Sequence, residues 1–226
     1  MGSSLQDLHC CDTDLVIVDG SYEDETPLTD LEIRSWLLEV DCFLLDTTLL
    51  SHPGCDMSSG LNIGFNHIRE GWSWDADHWA IVINNDVIFK RAGWLDDFID
   101  RASVPGTVML GSGAMSVFGH PFVTGATWGV RLKEAFEVSP DGNVMEPDLQ
   151  YALSDVALSI RMAAKGVVTH VPGIEWGDDP KTVHLISQTV YSREGYETVM
   201  EYRRKEAIKF IDKYGRKDGL SGYIGI

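Results

Sequence analysis

The chain has 226 residues, of which 44% are hydrophobic, and its formal net charge is −17 at pH 7. This length and apolar content suffice for one sizeable core, and no Ser-, Gly- or Pro-rich linker divides the sequence, which predicts a single domain with a carboxyl-terminal extension. The acidic balance argues against general nucleic-acid binding, because an acidic surface repels phosphate groups.

The cysteines and the hydropathy pattern point to a protein of the cytoplasm. Cys10, Cys11, Cys42 and Cys55 follow no zinc-binding spacing, and no leader-like segment begins the sequence, so we expect reduced thiols in a cytoplasmic protein. No apolar run approaches the roughly 18 residues that suggest a membrane span, so stable membrane insertion is not expected.

Apolar runs of strand length alternate with amphipathic segments along the chain. The predicted strands cover residues 15–18, 42–45, 79–83, 108–110, 122–124 and 167–171. The predicted helices cover residues 28–40, 63–71, 94–102, 132–138, 154–165 and 194–214, with residues 51–60 as a loop. Thr29 and Glu32 have the spacing of a capping box, and Gly166 follows a helix as a C-cap signal. The alternation predicts an α/β domain with a mainly parallel central sheet flanked by helices.

Three aspartates stand just after predicted strands, namely Asp19, Asp46 and Asp86. Parallel sheets bind ligands at the carboxyl ends of their strands, so this placement is a first indication of function. Asp86 closes the run Asn84-Asn85-Asp86, where a carboxylate could ligate Mg²⁺ or Mn²⁺ with oxygen donors from a diphosphate. The competing interpretation is an ordinary turn, since Asn and Asp are favoured there.

Two further segments carry candidate side chains. Asp155 begins a predicted helix, where it is either a general base for an acceptor hydroxyl or a helix cap. Asn62 and Asn66, with two glycines nearby, precede or enter a helix in a pattern that suits close backbone approach to a ligand. His184 lies beside apolar residues and is either a packed histidine or a late ligand.

In order, these segments resemble the inverting glycosyltransferases of family 2, which have the GT-A fold. The resemblance covers about residues 15 to 190 and rests on five segments. They are Asn62-Ile63-Gly64-Phe65-Asn66, Ile81-Val82-Ile83-Asn84-Asn85-Asp86, Thr124-Gly125-Ala126, Ser154-Asp155 with the helix to Arg161, and His184.

The resemblance implies a role for each of these residues. Asp155 would be the catalytic base, and Gly125 and Ala126 would line the acceptor side. Asp86 and His184 would contact the metal, Mn²⁺ or Mg²⁺. The donor-binding residues would be Asp19, Asp46, Asn62, Asn66, Asn84 and Asn85. The reaction would move a sugar from a nucleotide-diphosphate donor to an acceptor hydroxyl with inversion.

The sequence departs from the family pattern in three places. Ser154 stands where an acidic residue usually precedes the base, and Asn84 leaves the metal motif with one carboxylate. Little chain precedes Asp19, so residues 15–19 could be the family's second strand. Alternatively, residues 15–19 are its first strand and residues 44–46 its second, which the complete strand–helix–strand order slightly favours.

Domain limits and partners follow from the same comparison. We expect a GT-A domain over residues 1–200 and a basic helix and tail over 201–226, where basic residues outnumber acidic ones. The acceptor is open among a saccharide, a lipid-linked sugar, a protein and a modified DNA base, and the oligomeric state is open. The alternative functions are a GT-A-like nucleotidyltransferase and an inactive module that binds a sugar or a partner.

Overall fold

A computed structural model of the chain describes fifteen stretches of residues and leaves the others undescribed. The described residues are 14–20, 29, 31–32, 35, 47–72, 77–84, 87–89, 93–111, 115–117, 120–123, 127–139, 141–150, 153–171, 182–184 and 195–214. The strands are β1 (Leu15–Asp19), β2 (Thr47–Ser51), β3 (Trp79–Ile83), β4 (Val87–Phe89), β5 (Thr107–Gly111), β6 (Met115–Val117), β7 (His120–Phe122), β8 (Thr127–Arg131), β9 (Val167–His170) and β10 (Thr182–His184). The helices are α1 (Met57–Gly71), α2 (Trp94–Ala102), α3 (Leu132–Glu137), α4 (Ser154–Ala163) and α5 (Tyr196–Tyr214).

The protein is α/β, but its largest described sheet is mixed. The strand order is β3-β8-β5-β9, in which β8 runs antiparallel to both neighbours and β5 pairs with β9 in parallel. Three of the four strands therefore run in the same direction, with β8 as the antiparallel strand, so the α/β prediction is confirmed and this sheet is mixed. The chain passes from β5 to β8 by way of the antiparallel pair β6–β7. A parallel β5–β8 pair would need a long crossover, usually a helix, so the antiparallel pairing fits this connection.

The remaining strands form two-stranded pairs. β1 and β2 are parallel, with Asp19 opposite Ser51, and β4 and β10 are antiparallel. β2 lies where no strand is predicted, and the predicted strand at 42–45 lies outside the described residues. β3 and α2 have the predicted bounds.

Helix α1 begins within the predicted loop, at Met57 instead of residue 63. The carboxylate of Asp56 caps it by accepting from the Ser59 N–H at 2.9 Å and from the Ser59 hydroxyl at 2.7 Å. A glycine in the middle of α1 lets the helix lie close to β1, since a Cβ at Gly64 would stand 3.3 Å from a methyl group of Val18. The capping box further upstream is confirmed, because Glu32 accepts from Thr29 and Thr29 accepts from the Glu32 N–H.

The core lies between the mixed sheet and helices α1, α3 and α4. Its members are Phe65, Val108, Met109, Val123, Trp128, Val130, Leu132, Ala135, Phe136, Val144, Met145, Leu158, Met162 and Val168. A second cluster joins α5 to α4 and contains Phe122, Leu149, Leu153, Val156, Ala157, Ala207 and Phe210. The domain boundary placed at residue 200 falls inside α5, whose second half packs against α4 through Ala207 and Phe210.

In the described part of the chain, no helix has the length and apolar character needed to cross a membrane.

Candidate functional site

At one edge of the mixed sheet, strands β3, β5 and β9 end and strand β8 begins. Ile83 at the end of β3 lies opposite Thr127 at the start of β8, and Gly111 at the end of β5 lies opposite His170 at the end of β9. We call this the carboxyl edge. Asn84 follows β3 here, so the structure places this predicted donor residue at the carboxyl edge.

Helix α4 points its first turn toward the same edge. At its far end the chain turns at Gly166, where a Cβ would stand 2.4 Å from the carbonyl oxygen of Gly106, just before β5 begins. In the middle of α4 the hydroxyl of Ser159 lies 3.6 Å from the sulfur of Met109, in the middle of β5. A helix of this length rises about 15 Å. Its first turn, with Asp155, therefore lies near the end of β5.

Asp155 is the second residue of α4 and is not its N-cap, because Leu153 occupies that position. Its side chain is buried, with 9% of the residue exposed, and Oδ1 accepts a hydrogen bond from the Val156 N–H at 2.8 Å. A negative charge in the first turn is favoured by the helix dipole. The Val156 N–H thus orients the Asp155 carboxylate at the start of the helix.

Backbone pairing brings His184 to the segment that follows the Asn84-Asn85-Asp86 motif. In the β4–β10 ladder, His184 lies opposite Val87, the residue directly after Asp86. Two segments that are almost a hundred residues apart in the chain are therefore neighbours. The described structure covers the backbone of His184 but not its side chain.

Asp19 ends β1 and is buried, with 6% of the residue exposed. Its carbonyl oxygen accepts from the His52 N–H at 2.9 Å, which continues the β1–β2 pairing, and the Cys55 N–H donates to the His52 carbonyl oxygen at 3.2 Å to close the turn that follows. The thiol of Cys55 lies beside this turn, and burial followed by the charges of Asp56 and Asp19 raises the pKa of Cys55. The thiol at this position is therefore protonated near neutral pH.

Asn62, a predicted donor residue, holds a neighbouring loop. Its Nδ2 donates to the Met145 carbonyl oxygen at 2.9 Å, and its Oδ1 accepts from the Met145 N–H at 2.7 Å. Residue 62 is buried, whereas Asn66, one turn along α1, is half-buried. The hydroxyl of Ser58 adds a hydrogen bond of 2.7 Å to the Leu149 carbonyl oxygen. Helix α1 thereby anchors residues 144–149, which we call the 144–149 segment.

Glu146 joins this segment to two helices. Its carboxylate accepts from Lys213 and Tyr214 at the end of α5, and Oε1 lies 3.6 Å from Nε of Arg161 on α4. Burial alone would raise the pKa of Glu146, but the hydrogen bonds from Lys213 and Tyr214 and the charge of Arg161 outweigh it and lower the pKa. Burial and the Glu146 carboxylate together raise the pKa of Tyr214.

Arg161 holds the first residue of the segment and the loop before it. Its guanidinium donates to the carbonyl oxygens of Val138 and Val144 and to the Ser139 hydroxyl. The sequence pattern indicates Arg161 only as the end of the family motif and gives no indication of Glu146. The excess of basic residues in α5 was a signal for an acidic partner, but it could not say which acidic residue.

Several predicted residues lie outside the described part of the chain. They are Asp46, Asn85, Asp86, Gly125 and Ala126. Among the residues that are described, no three His, Cys, Asp or Glu side chains are grouped so that they could hold a metal ion. The side chains of Asp86 and His184, the predicted metal residues, lie outside this part of the structure, so their role stays a prediction.

No protein-family model matches the chain, and no curated protein matches it.

Proposed function

We propose that the protein is a metal-dependent glycosyltransferase that moves a sugar from a nucleotide-diphosphate donor to an acceptor hydroxyl with inversion. The observation that carries the proposal is the meeting at one edge of Asn84, after β3, and Asp155, at the start of α4. A strand-end polar motif and a buried helix-start carboxylate are the parts that such a reaction needs. The family resemblance of the ordered motifs gives the same assignment.

Asp155 is the base in this proposal. As the acceptor oxygen attacks the anomeric carbon, its proton passes to the Asp155 carboxylate and a new carbon–oxygen bond forms. The bond from the anomeric carbon to the diphosphate oxygen breaks on the opposite face, and the nucleoside diphosphate leaves with the electron pair. The hydrogen bond from the Val156 N–H and the place of Asp155 in the first turn of α4 support an oriented carboxylate.

Mn²⁺ or Mg²⁺ would be held by Asp86 and His184 together with oxygens of the diphosphate. The pairing of His184 with Val87 supports this assignment, because it brings the two segments side by side, and a carboxylate and an imidazole are suitable donors. Bound there, the ion would neutralise negative charge on the leaving diphosphate. Asp19, Asp46, Asn62, Asn66 and Asn85 are proposed for the donor side, and Gly125 and Ala126 for the acceptor side.

The partners follow from the reaction. The donor is a nucleotide sugar, and the acceptor is a saccharide, a lipid-linked sugar, a protein or a modified DNA base. The cytoplasm, where nucleotide sugars and reduced thiols occur together, is the proposed location.

Thermal unfolding with nucleoside diphosphates tests the donor site. With Mn²⁺ and a nucleoside diphosphate at about 100 times its dissociation constant, the free energy of unfolding should rise by about 2.7 kcal/mol. Asp86→Ala should abolish the metal-dependent part of that gain without changing the melting temperature of the free protein. The matched control is Asp100→Ala, which removes an exposed carboxylate on α2.

Two results would redirect the proposal. A gain that needs the metal equally in Asp86→Ala would place the ion elsewhere, and no gain with any common nucleotide would contradict a transferase. Donor binding without turnover on any acceptor would favour the inactive binding module.

A further inference from the structure

Glu146 contacts the last turn of α5 and Arg161 of α4 through its carboxylate, and the first turn of α4 through its backbone. From α5 it accepts hydrogen bonds from Lys213 Nζ and, at 2.9 Å, from the Tyr214 hydroxyl. The backbone N–H of the same residue donates to the hydroxyl of Ser154 at 3.1 Å. Ser154 directly precedes Asp155, so one residue links the end of the chain's last helix to the start of the proposed base helix.

Because Glu146 is buried, breaking the hydrogen bonds that form this link is unfavourable. Its side chain is 10% exposed, and a buried carboxylate that loses its donors is costly to leave unpaired. Arg161 depends on the same carboxylate, because within the described structure its Nε makes no hydrogen bond and lies 3.6 Å from Glu146 Oε1. Three side chains from α4 and α5 therefore converge on one acidic group.

Apolar packing holds the two helices in the same arrangement. Phe210 of α5 and Val156 and Ala157 of α4 belong to one buried cluster, and all three are almost fully buried. The first turn of α4 is thus fixed on one side by apolar contacts and on the other by the 144–149 segment through Glu146. Both supports end within two residues of Asp155.

We propose that Glu146 is a positioning residue, through which docked α5 fixes the first turn of α4 and with it the direction of the Asp155 carboxylate. The consequence for turnover rests on the proposed function, whereas the effect on the first turn does not. A displacement of about 1 Å at a reacting group can cost about 10²-fold in rate. Small changes at Glu146 should therefore be visible in catalysis while the protein stays folded.

The protein contains a matched control pair at the opposite end of α4. Glu137 of α3 accepts from Lys165, just after α4, at 3.0 Å, and this pair is largely exposed. The pKa of Glu137 is lowered by the hydrogen bond and charge of Lys165, as that of Glu146 is lowered by its own donors. Glu137→Gln and Glu146→Gln thus each remove one carboxylate that pairs with a basic residue in or just after α4, but only Glu146 also bonds Ser154 in the first turn.

Hydrogen exchange on the full chain tests the positioning. The amides to follow are those of Val156, which donates to Asp155 Oδ1, and Ala157, which donates to the Leu153 carbonyl oxygen at 2.9 Å. Glu146→Gln should raise their exchange rates about tenfold, the factor expected when one charge-assisted hydrogen bond no longer opposes local opening. Tyr214→Phe, which keeps the ring and removes one donor, should change them in the same direction. Glu137→Gln should leave them unchanged.

Unchanged exchange at both amides in Glu146→Gln, or an equal increase in Glu137→Gln, would overturn the proposal. If Glu146→Gln does not fold, as judged by circular dichroism, Tyr214→Phe decides by the same criterion.

In a transfer assay, Glu146→Gln should lower kcat by about 10-fold to 100-fold and leave KM for the donor unchanged. Faster exchange with unaltered kcat would also contradict positioning of Asp155. If the unaltered protein transfers no sugar, the proposed function is wrong. The exchange experiment would still test whether Glu146 fixes the first turn of α4.

Discussion

At the scale of single residues, the side-chain amide of Asn62 forms a two-way pair with the backbone of Met145. The pair is buried and joins α1 to the 144–149 segment, 83 positions later in the chain. No local pattern around Asn62 reveals that partner, because the spacing of asparagines and glycines describes only the helix on which the residue lies. A role beside the donor stays a prediction, whereas the structural bond is observed.

Asn62→Ala should lower the free energy of unfolding by about 2 kcal/mol. The variant leaves the Met145 N–H and carbonyl oxygen without their partner in a buried place, and unpaired buried polar groups cost about 1–3 kcal/mol. Urea unfolding measures the change, with Asn66→Ala as the control on the half-buried next turn, where less than about 0.5 kcal/mol is expected. Equal losses in the two variants would show that the Met145 bonds are not the reason.

The lowered pKa of Glu146 predicts a pH dependence of stability. Because the folded pKa lies below its ordinary value of 4.5, the ionised carboxylate stabilises the fold fully above that value. The contribution is lost as the pH falls through the folded pKa, when Arg161 and Lys213 keep their charges and lose their partner. Urea midpoints measured from about pH 7 down to about pH 3 should therefore fall more steeply for the unaltered protein than for Glu146→Gln. Parallel curves for the two proteins would contradict this assignment.

At the scale of elements, the sequence predicts the long periodic or apolar segments well. Strand β3 and helix α2 have the expected bounds, since Trp79–Ile83 is uniformly apolar and α2 alternates buried and exposed positions. Prediction fails where packing decides: α1 extends back to Met57 because Asp56 caps it, and β8 lies where no strand is predicted. Short strands such as β4 and β10 depend on each other across the chain and carry little local signal.

Helix α5 shows how a basic segment can be part of the core. Its exposed side is rich in Lys and Arg, yet Ala207 and Phe210 are fully buried against α4. Phe210→Ala should lower the free energy of unfolding by about 3–5 kcal/mol, because it leaves a cavity between the helices. The control is Ile208→Ala on the same helix, where the side chain is 60% exposed and less than about 0.5 kcal/mol is expected. Similar small losses in both variants would mean that α5 is not needed to complete the core.

At the scale of the whole molecule, the candidate site consists of strand ends and the start of a helix, which only the folded chain brings together. The sequence predicts the individual residues, among them Asn84 and Asp155, from turn positions and motif order. It could not predict that the 144–149 segment would connect α1, α4 and α5, because those contacts span from 8 to 91 positions along the chain. The supporting role of Glu146 depends on such long-range contacts, so the sequence alone does not reveal it.

The most direct test of the central claim is the rate of sugar transfer by the unaltered protein and by Asp155→Asn. The assay supplies Mn²⁺, a panel of nucleotide sugars and candidate acceptors, and detects the glycosylated product. The account predicts acceptor-dependent turnover that falls by about 10² to 10⁴ in Asp155→Asn, because the amide cannot take the proton, with donor affinity nearly unchanged. A turnover rate in Asp155→Asn close to that of the unaltered protein would contradict the account.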